Sequence, residues 1–217
     1  MKQNLIVDDH PVLREGLEKV IEAEEGFGVS GKAGSVQEAL ALIEQTAPDV
    51  VLTDLTLPGR SGLELIKDLK ATHPDLPVLV MSMHDEMIYA ERALKAGGCG
   101  YIMKEAPPED LLKAIQTVLD GGIYASAAVT GHFLHTLSAG KGKAKSSFPL
   151  ERLTDREMEI FELIGHGKGN RDIAGQLGVS SRTVDTHRIN IREKLGLPDG
   201  TALTRYAVRW IEAGVLE

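Results

Sequence analysis

Five short apolar runs constrain this chain more than any other feature. Leu5-Ile6-Val7, the weaker Phe27 to Ser30, Val50-Val51-Leu52, Val78-Leu79-Val80-Met81 and Tyr101-Ile102-Met103 follow one another through its first half. Their centres lie roughly 20–30 residues apart, the length of a strand plus a crossover helix. The runs are continuous rather than alternating, so the strands are expected to be covered on both faces. Helical spacing fills the gaps. Val12, Leu13, Leu17, Val20 and Ile21 form one stripe, and Leu63, Leu65, Ile66 and Leu69 a second. Leu111, Leu112, Ile115, Val118 and Leu119 form a third. Five βα units predict a doubly wound α/β domain with a five-stranded parallel sheet over residues 1–120.

Gly121-Gly122 stops the last of these helices, and residues 121–149 read as a connector. Val129, Phe133, Leu134 and Leu137 can line one face of a short helix there. The run SAGKGKAKSS that follows is small, basic and without large apolar residues, so residues 138–149 read as a flexible tether. Twelve such residues have an r.m.s. span of about 20 Å. Residues 150–217 carry no strand pattern. Thr154 followed three residues later by Glu157 is a capping box, opening a helix to about Gly165. A second helix is expected from Asn170 to Gly178. Ser180 caps a third, to about Leu195, and Thr201 a fourth, to about Ala213. Four helices in this span predict a smaller, all-α second domain.

Charge divides along the same line. Residues 1–140 hold 11 Lys and Arg against 21 Asp and Glu, a net of −10, and residues 141–217 hold 13 against 11, a net of +2. An acidic first half and a mildly basic second half suggest different partners. No run approaches the ~18 apolar residues that span a bilayer, so no membrane helix is expected. The start, MKQNLIVDDHPVL, places acids where a signal peptide needs apolar residues. A single cysteine, Cys99, excludes an internal disulfide and a Cys-rich metal site. These features fit a cytoplasmic protein, with Cys99 in or beside the fifth strand.

Ligand sites in open α/β sheets lie beyond the carboxyl ends of the strands. There the first strand meets Asp8-Asp9, the third Asp54, the fourth Ser82 and the fifth Lys104. Three carboxylates on one edge repel one another unless a cation sits among them. Oxygen donors with room for water suit Mg²⁺, and without Cys or His among these residues zinc is disfavoured. Such a site, with Lys104 and Ser82 nearby, suits an incoming phosphoryl group, and Asp54 would be its nucleophile. The blander reading makes Asp9 the N-cap of the helix at Pro11, Asp54 a loop cap and Lys104 a solvated charge. It requires separate coincidences at equivalent strand ends.

LIVDDHP, VVLTDLTLPGRSG, VLVMSMH and GYIMK, in that order, resemble the receiver domain of bacterial two-component response regulators. The resemblance covers residues 1–120 and implies a flavodoxin-like fold. It implies that Asp54 accepts phosphate from a sensor histidine kinase. It implies that Asp8, Asp9, Asp54 and the backbone carbonyl of Thr56 hold Mg²⁺, and that Ser82 and Lys104 contact the phosphoryl oxygens. Ser82 and Tyr101 are the implied switch pair, with the ring turning inward. Thr56 and His84 flank the site where the family tunes phosphate lifetime. Receivers commonly place Pro directly after the lysine, whereas Lys104 is followed by Glu105-Ala106-Pro107-Pro108.

In the second domain, NRDIAGQLGVSSRTVDTHRINIREKLGL reads as helix, Gly turn, helix. Ile173, Ala174 and Leu177 face inward from the first helix, and Val184, Ile191 and Leu195 from the second. His187 beside that stripe reads as a packed structural residue. The outward face carries Arg182, Asp185, Thr186, Ile189, Asn190 and Glu193, side chains able to read base edges in a major groove. Lys168, Arg171, Arg188, Arg192 and Lys194 are candidate phosphate contacts. The stretch from Leu153 to Leu197 resembles the LuxR-type helix-turn-helix of the NarL/FixJ group. That resemblance implies binding to double-stranded DNA, commonly as a homodimer on inverted half-sites. It implies a dimer contact on the last helix, with Trp210 and Ile211 as candidates, although Trp210 fits a core equally well. It also implies that the unmodified receiver packs near the recognition helix and masks it until phosphorylation.

Two competitors remain at this point. A phosphatase of the haloacid dehalogenase type also uses a catalytic Asp with Mg²⁺, but carries a second Asp where this chain has Thr56. No enzymatic turnover is therefore expected. A receiver-controlled adaptor, whose helical domain binds protein rather than DNA, is motivated by the weak basicity of the second half.

Overall fold

The structure, a computed structural model, describes residues 1–131 and 149–214. The chain divides into two compact units, Met1–His135 and Thr136–Glu217. The positions Phe133, Leu134 and Leu137, and nearly all of the tether, lie outside the described residues.

The first unit alternates strand and helix: β1 (Lys2–Val7), α1 (Pro11–Glu22), β2 (Phe27–Ala33), α2 (Val36–Thr46), β3 (Val50–Thr53), α3 (Gly62–Thr72), β4 (Val78–Ser82), α4 (Glu86–Ala96), β5 (Gly100–Met103) and α5 (Pro108–Leu119). All pairings are parallel, in the order β2-β1-β3-β4-β5. The order reverses direction between β1 and β3, which makes their carboxyl ends neighbours and opens a crevice there. β3 and β4 are buried along their whole length, as continuous apolar runs require. β2 is the edge strand and is half-exposed from Val29 to Lys32. It extends past Ser30 because its pairing with β1 continues to Val7 opposite Ala33.

Local signals set the helix starts. Pro occupies the first turn of α1 and α5, where no N–H is missed. Ser61 and Glu64 form a capping box on α3, and the Ser35 side chain caps α2. The α1 stripe needs one correction: Val12 is 86% exposed. At about 100° per residue Val12 falls outside the arc that carries Leu13, Leu17, Val20 and Ile21 against the sheet. The central cluster joins those residues to Ile6, Leu52, Leu79, Ile102 and Ile115.

Gly121, with φ +79°, turns the chain after α5. The chain then returns along the open edge of β5. Tyr124 pairs with Gly100, its carbonyl accepts from Tyr101 N–H at 2.8 Å, and its N–H donates to Cys99 at 3.1 Å. Ser126 Oγ donates to Glu86 Oε1 at 2.7 Å, and residues 127–131 are helical with Val129 buried. The start of the connector is thus fastened to the first unit by backbone pairing.

The second unit opens with a 3-10 turn (Pro149–Arg152), followed by α6 (Asp155–Gly165), α7 (Asn170–Leu177), α8 (Ser181–Leu195) and α9 (Gly200–Gly214). Thr154 and Glu157 form the expected capping box. Thr201 does not cap α9. Asp199 Oδ1 accepts from Ala202 N–H at 2.8 Å, leaving Thr201 inside the first turn. α6 packs against α8 and α9, and α7 against α8. Phe161 anchors this core, its ring 5.8 Å from Tyr206 and 5.6 Å from Trp210. Leu177 and Leu195 are only half-buried, near the ends of their helices.

Candidate functional site

The crevice beyond β1 and β3 gathers the acids. Val7 lies opposite Thr53, and Asp54 N–H donates to the Val7 carbonyl at 2.8 Å, so Asp8 and Asp54 emerge side by side. Asp8 is fully buried and Asp54 is 3% exposed. Lys104 Nζ bridges them, 2.6 Å from Asp8 Oδ2 and 2.7 Å from Asp54 Oδ2. Asp54 Oδ1 accepts from Leu55 N–H at 2.7 Å, which fixes the carboxylate plane. Burial pushes the Asp54 carboxyl above its ordinary range, aided by the Asp8 charge and opposed by the Lys104 ammonium. Burial also works against the Lys104 charge, but the bonds to Asp54 and Asp8 outweigh it, and the ammonium is held more firmly than usual.

Asp9 is not a helix cap. The N-cap of α1 is His10, whose side chain caps nothing. Its ring turns to the acids instead, with Nδ1 2.6 Å from Asp9 Oδ1 and 3.1 Å from Asp8 Oδ1. One ligand atom each from Asp8, Asp9, His10 and Asp54 lies within 4.8 Å of the others. The expectation of a cluster without histidine is therefore corrected: the chain reverses between β1 and α1 and carries His10 back over the carboxylates. Arg14 Nη1, one turn further on, donates to the Asp8 carbonyl.

Beside the acids, Ser82 is fully buried and its Oγ accepts from His84 N–H at 3.2 Å. The ring of Tyr101 is inward, 1% exposed, and its hydroxyl donates to the His84 carbonyl at 2.8 Å. Thr56 Oγ1 lies 2.8 Å from His84 Nε2, joining the loops after β3 and β4. After Lys104 the chain turns through an Ala106 N–H to Met103 carbonyl bond, with no cis peptide among the described residues. Gly62 lets the β3–α3 loop close on the site. A Cβ there would stand 2.0 Å from the Asp54 carbonyl oxygen.

In the second unit, Gly178 (φ +65°) turns α7 into α8, and Ser180 caps α8. Arg182, Asp185, Thr186 and Ile189 share one exposed face of α8, with Ile189 47% exposed. Lys168 and Arg171 are exposed before and within α7, while Asn190 and Arg192 are half-buried. Asp185 is tied to the Asn170 side chain, which fastens the two helices of the motif together. Arg188 turns toward α9, where Nη2 donates to Thr204 Oγ1 at 3.4 Å. Lys194 is spent on the buried Glu157 at 2.6 Å rather than offered outward. Trp210 lies against Phe161, and Ile211 lies over Gly165, where a Cβ would meet its Cγ1 at 2.5 Å. Both are half-buried against the core of the unit.

Residues 5–116 match the response regulator receiver domain, and residues 151–207 match the bacterial regulatory proteins of the luxR family. The transcriptional regulatory protein MctR of Rhizobium johnstonii is 36% identical over 94% of this chain and 92% of its own length. The transcriptional regulatory protein DegU of Brevibacillus brevis is 32% identical over 97% of this chain and 95% of its own. The chain belongs to the two-component response regulators. Among solved structures, the RcsB response regulator of Salmonella typhimurium superposes with a TM-score of 0.72 at 26% identity, covering 96% of this chain and 98% of that one. RcsB bound to promoter P1flhDC in the presence of phosphomimetic BeF3- gives 0.67 at 26% identity, over 95% and 98%. This response regulator therefore joins a receiver to a LuxR-type DNA-binding domain.

Sequence reasoning missed three residues of the regulator's pocket: His10, Arg14 and Gly62. His10 and Gly62 stand inside the motifs LIVDDHP and VVLTDLTLPGRSG, but spacing alone does not say that one ring folds back or that one Cβ is forbidden.

Proposed function

We propose that Asp54 is the phosphoryl acceptor of this response regulator and that its phosphorylation controls DNA binding by the second unit. The observation that carries this is Lys104 Nζ bridging Asp8 and Asp54 at 2.6 and 2.7 Å. An Asp54 carboxylate oxygen attacks the phosphorus of a kinase phosphohistidine. The P–O bond forms as the P–N bond breaks, and the leaving electron pair returns to the kinase imidazole. Lys104 and Ser82 would receive the equatorial oxygens.

Three carboxylates against one ammonium leave a formal charge of −2, which a divalent cation balances. Asp8, Asp9, Asp54 and the Thr56 carbonyl would hold Mg²⁺, which when bound offsets the charge developing on the phosphoryl oxygens. Arg14 steadies the Asp8 backbone, and Leu55 N–H orients the nucleophile. Ser82, His84 and Tyr101 form one hydrogen-bonded run from the site to β5. Tyr101 N–H then meets the Tyr124 carbonyl, which supports a route from the pocket into the connector.

On DNA, Arg182, Thr186, Ile189 and Asn190 face the bases, while Lys168, Arg171 and Arg192 meet phosphates. Asp185 is held by Asn170 and serves the motif's geometry more than cytosine recognition. Arg188, with guanidinium N–H groups beyond the one donated to Thr204, joins Lys168, Arg171 and Arg192 as a phosphate contact. The regulator works as a homodimer on DNA, with Trp210 and Ile211 on α9 as its candidate contacts. It acts in the cytoplasm, where a sensor kinase and chromosomal DNA are both within reach, and turns over no phosphate ester as an enzyme. The test is incubation with Mg²⁺ and acetyl phosphate, read by intact mass. One phosphoryl group is expected on the wild type and none on Asp54→Ala. An adduct on both, or steady ester turnover, overturns the assignment.

A further inference from the structure

We infer that His10 is a nitrogen ligand of the acidic pocket and biases it toward borderline divalent cations such as Ni²⁺. The inference rests on the pocket being a cation site, as proposed above, and goes beyond it in the donor set and the ion class.

Three observations converge on His10. First, it occupies the N-cap of α1 and makes no side-chain cap bond. Ser, Thr, Asp and Asn are favoured at that position because they accept from the helix N–H groups. His10 forgoes that role and turns its ring to the carboxylates. Second, its main chain is anchored for the purpose: His10 N–H donates to Asp8 Oδ1 at 2.8 Å, so the ring leaves a backbone already fixed on the pocket. Third, the spacing suits shared coordination. Two cis ligands about 2.1 Å from an octahedral ion stand about 3.0 Å apart. Nδ1 stands 3.1 Å from Asp8 Oδ1 and 2.6 Å from Asp9 Oδ1, and all four ligand atoms fall within 4.8 Å of one another.

The chemistry of the set then decides the ion. Carboxylates suit hard Mg²⁺, which takes little from a nitrogen donor, whereas imidazole suits Ni²⁺, Cu²⁺ and Zn²⁺. Asp8, Asp9 and Asp54 alone make a magnesium site. With His10 added, the same pocket gains affinity for borderline ions while its affinity for Mg²⁺ hardly changes. His10 is 69% exposed at its side chain, so the ring is free to adjust to an incoming ion.

The experiment is calorimetric titration of the full-length protein with MgCl₂ and separately with NiCl₂, on wild type and His10→Asn. Asn is a good N-cap, so this variant keeps α1 and the fold. The visible d–d bands of bound Ni²⁺ are recorded alongside. An excess of Mg²⁺ distinguishes Ni²⁺ held in the pocket, which is displaced, from Ni²⁺ on other surface histidines, which is not. The expected result is a loss of about tenfold or more in Mg²⁺-displaceable Ni²⁺ affinity. The Ni²⁺ bands shift to lower energy, and Mg²⁺ affinity changes by less than about threefold. Equal losses for both ions, or unchanged Ni²⁺ affinity and bands, overturn the role of His10. Wild type that takes no Mg²⁺ overturns the underlying reading of the pocket instead, so the two failures are told apart.

Discussion

The acidic pocket and the exposed face of α8 are built on opposite principles. In the pocket, the main side chains leave the end of a strand whose register is hydrogen-bonded to its neighbour. Asp8 follows Val7, Asp54 follows Thr53, and these pair across β1 and β3. Burial and backbone topology leave the carboxylates one arrangement. On α8, Arg182, Thr186 and Ile189 share a face only because helical geometry repeats, and solvent surrounds them. The pocket is specified by the fold, whereas the reading face is specified by surface chemistry that the fold merely displays. Damage to the pocket should therefore be abrupt and should spread, and damage to the face should be graded and local.

The sharpest test is loss of the nucleophile. Asp54→Ala is expected to remove phosphoryl uptake from acetyl phosphate entirely, read as intact mass, while leaving unstimulated DNA affinity within about threefold, because loss of the acceptor should leave the reading face intact. A variant that still gains one phosphoryl group would place the acceptor elsewhere in the cluster.

Next comes a position with no chemistry of its own. A Cβ on Gly62 would stand 2.0 Å from the Asp54 carbonyl oxygen and 3.0 Å from Leu55 Cα. Those atoms are backbone and cannot swing aside. Gly62→Ala is expected to destabilise the first unit by about 3 kcal/mol or more, measured by thermal denaturation, and to slow phosphoryl uptake. The melting of the second unit should not move. If Gly62→Ala melts like wild type, the pocket is more pliable than its burial implies.

On the reading face, effects should be smaller and separable. Arg182→Ala is expected to weaken DNA binding by ~1–3 kcal/mol with relaxed specificity if it reads a base edge. If it meets phosphate, the salt dependence of binding loses about one unit of slope instead. Phosphoryl uptake is unchanged in either case. Binding that ignores salt altogether would favour the adaptor reading of this unit.

This difference also decides what could be read without a structure. The strands, the capping box at Thr154, the Gly178 turn and the convergence of Asp8, Asp54, Ser82 and Lys104 follow from periodicity, local cap signals and where strands end. Those are backbone consequences, and sequence patterns report backbone well. His10, Arg14 and Gly62 depend on how a loop folds back through space, which no local pattern encodes. The same limit misplaced Thr201 and Lys194. Val12 is a different case, because at about 100° per residue it falls outside the arc that the rest of the α1 stripe covers. Thr201 is a good cap outcompeted by Asp199, two residues earlier. Lys194 looks like a surface cation until Glu157, from a different helix, claims it.

That last pair offers the smallest effect and the finest probe of the comparison, because it buttresses the reading helix from behind. Glu157 is 3% exposed, and its Oε2 receives Lys194 Nζ at 2.6 Å and Thr154 N–H at 2.7 Å. Burial alone would raise this carboxyl, but the bonds from Lys194 and Thr154 win and hold it below its ordinary range. A depressed carboxyl contributes stability above its unfolded-state value, near ~4.3, and loses it as pH falls through the folded value. The second unit should therefore lose stability more steeply below about pH 4 than the Glu157→Gln variant does. At neutral pH that variant should be ~1–2 kcal/mol less stable, by thermal melting of the full-length protein. Because α8 is held by Val184 and Ile191 as well, Glu157→Gln should shift DNA affinity far less than Arg182→Ala. An equal loss of affinity would mean that the reading face depends on its buried support as closely as the acidic pocket does.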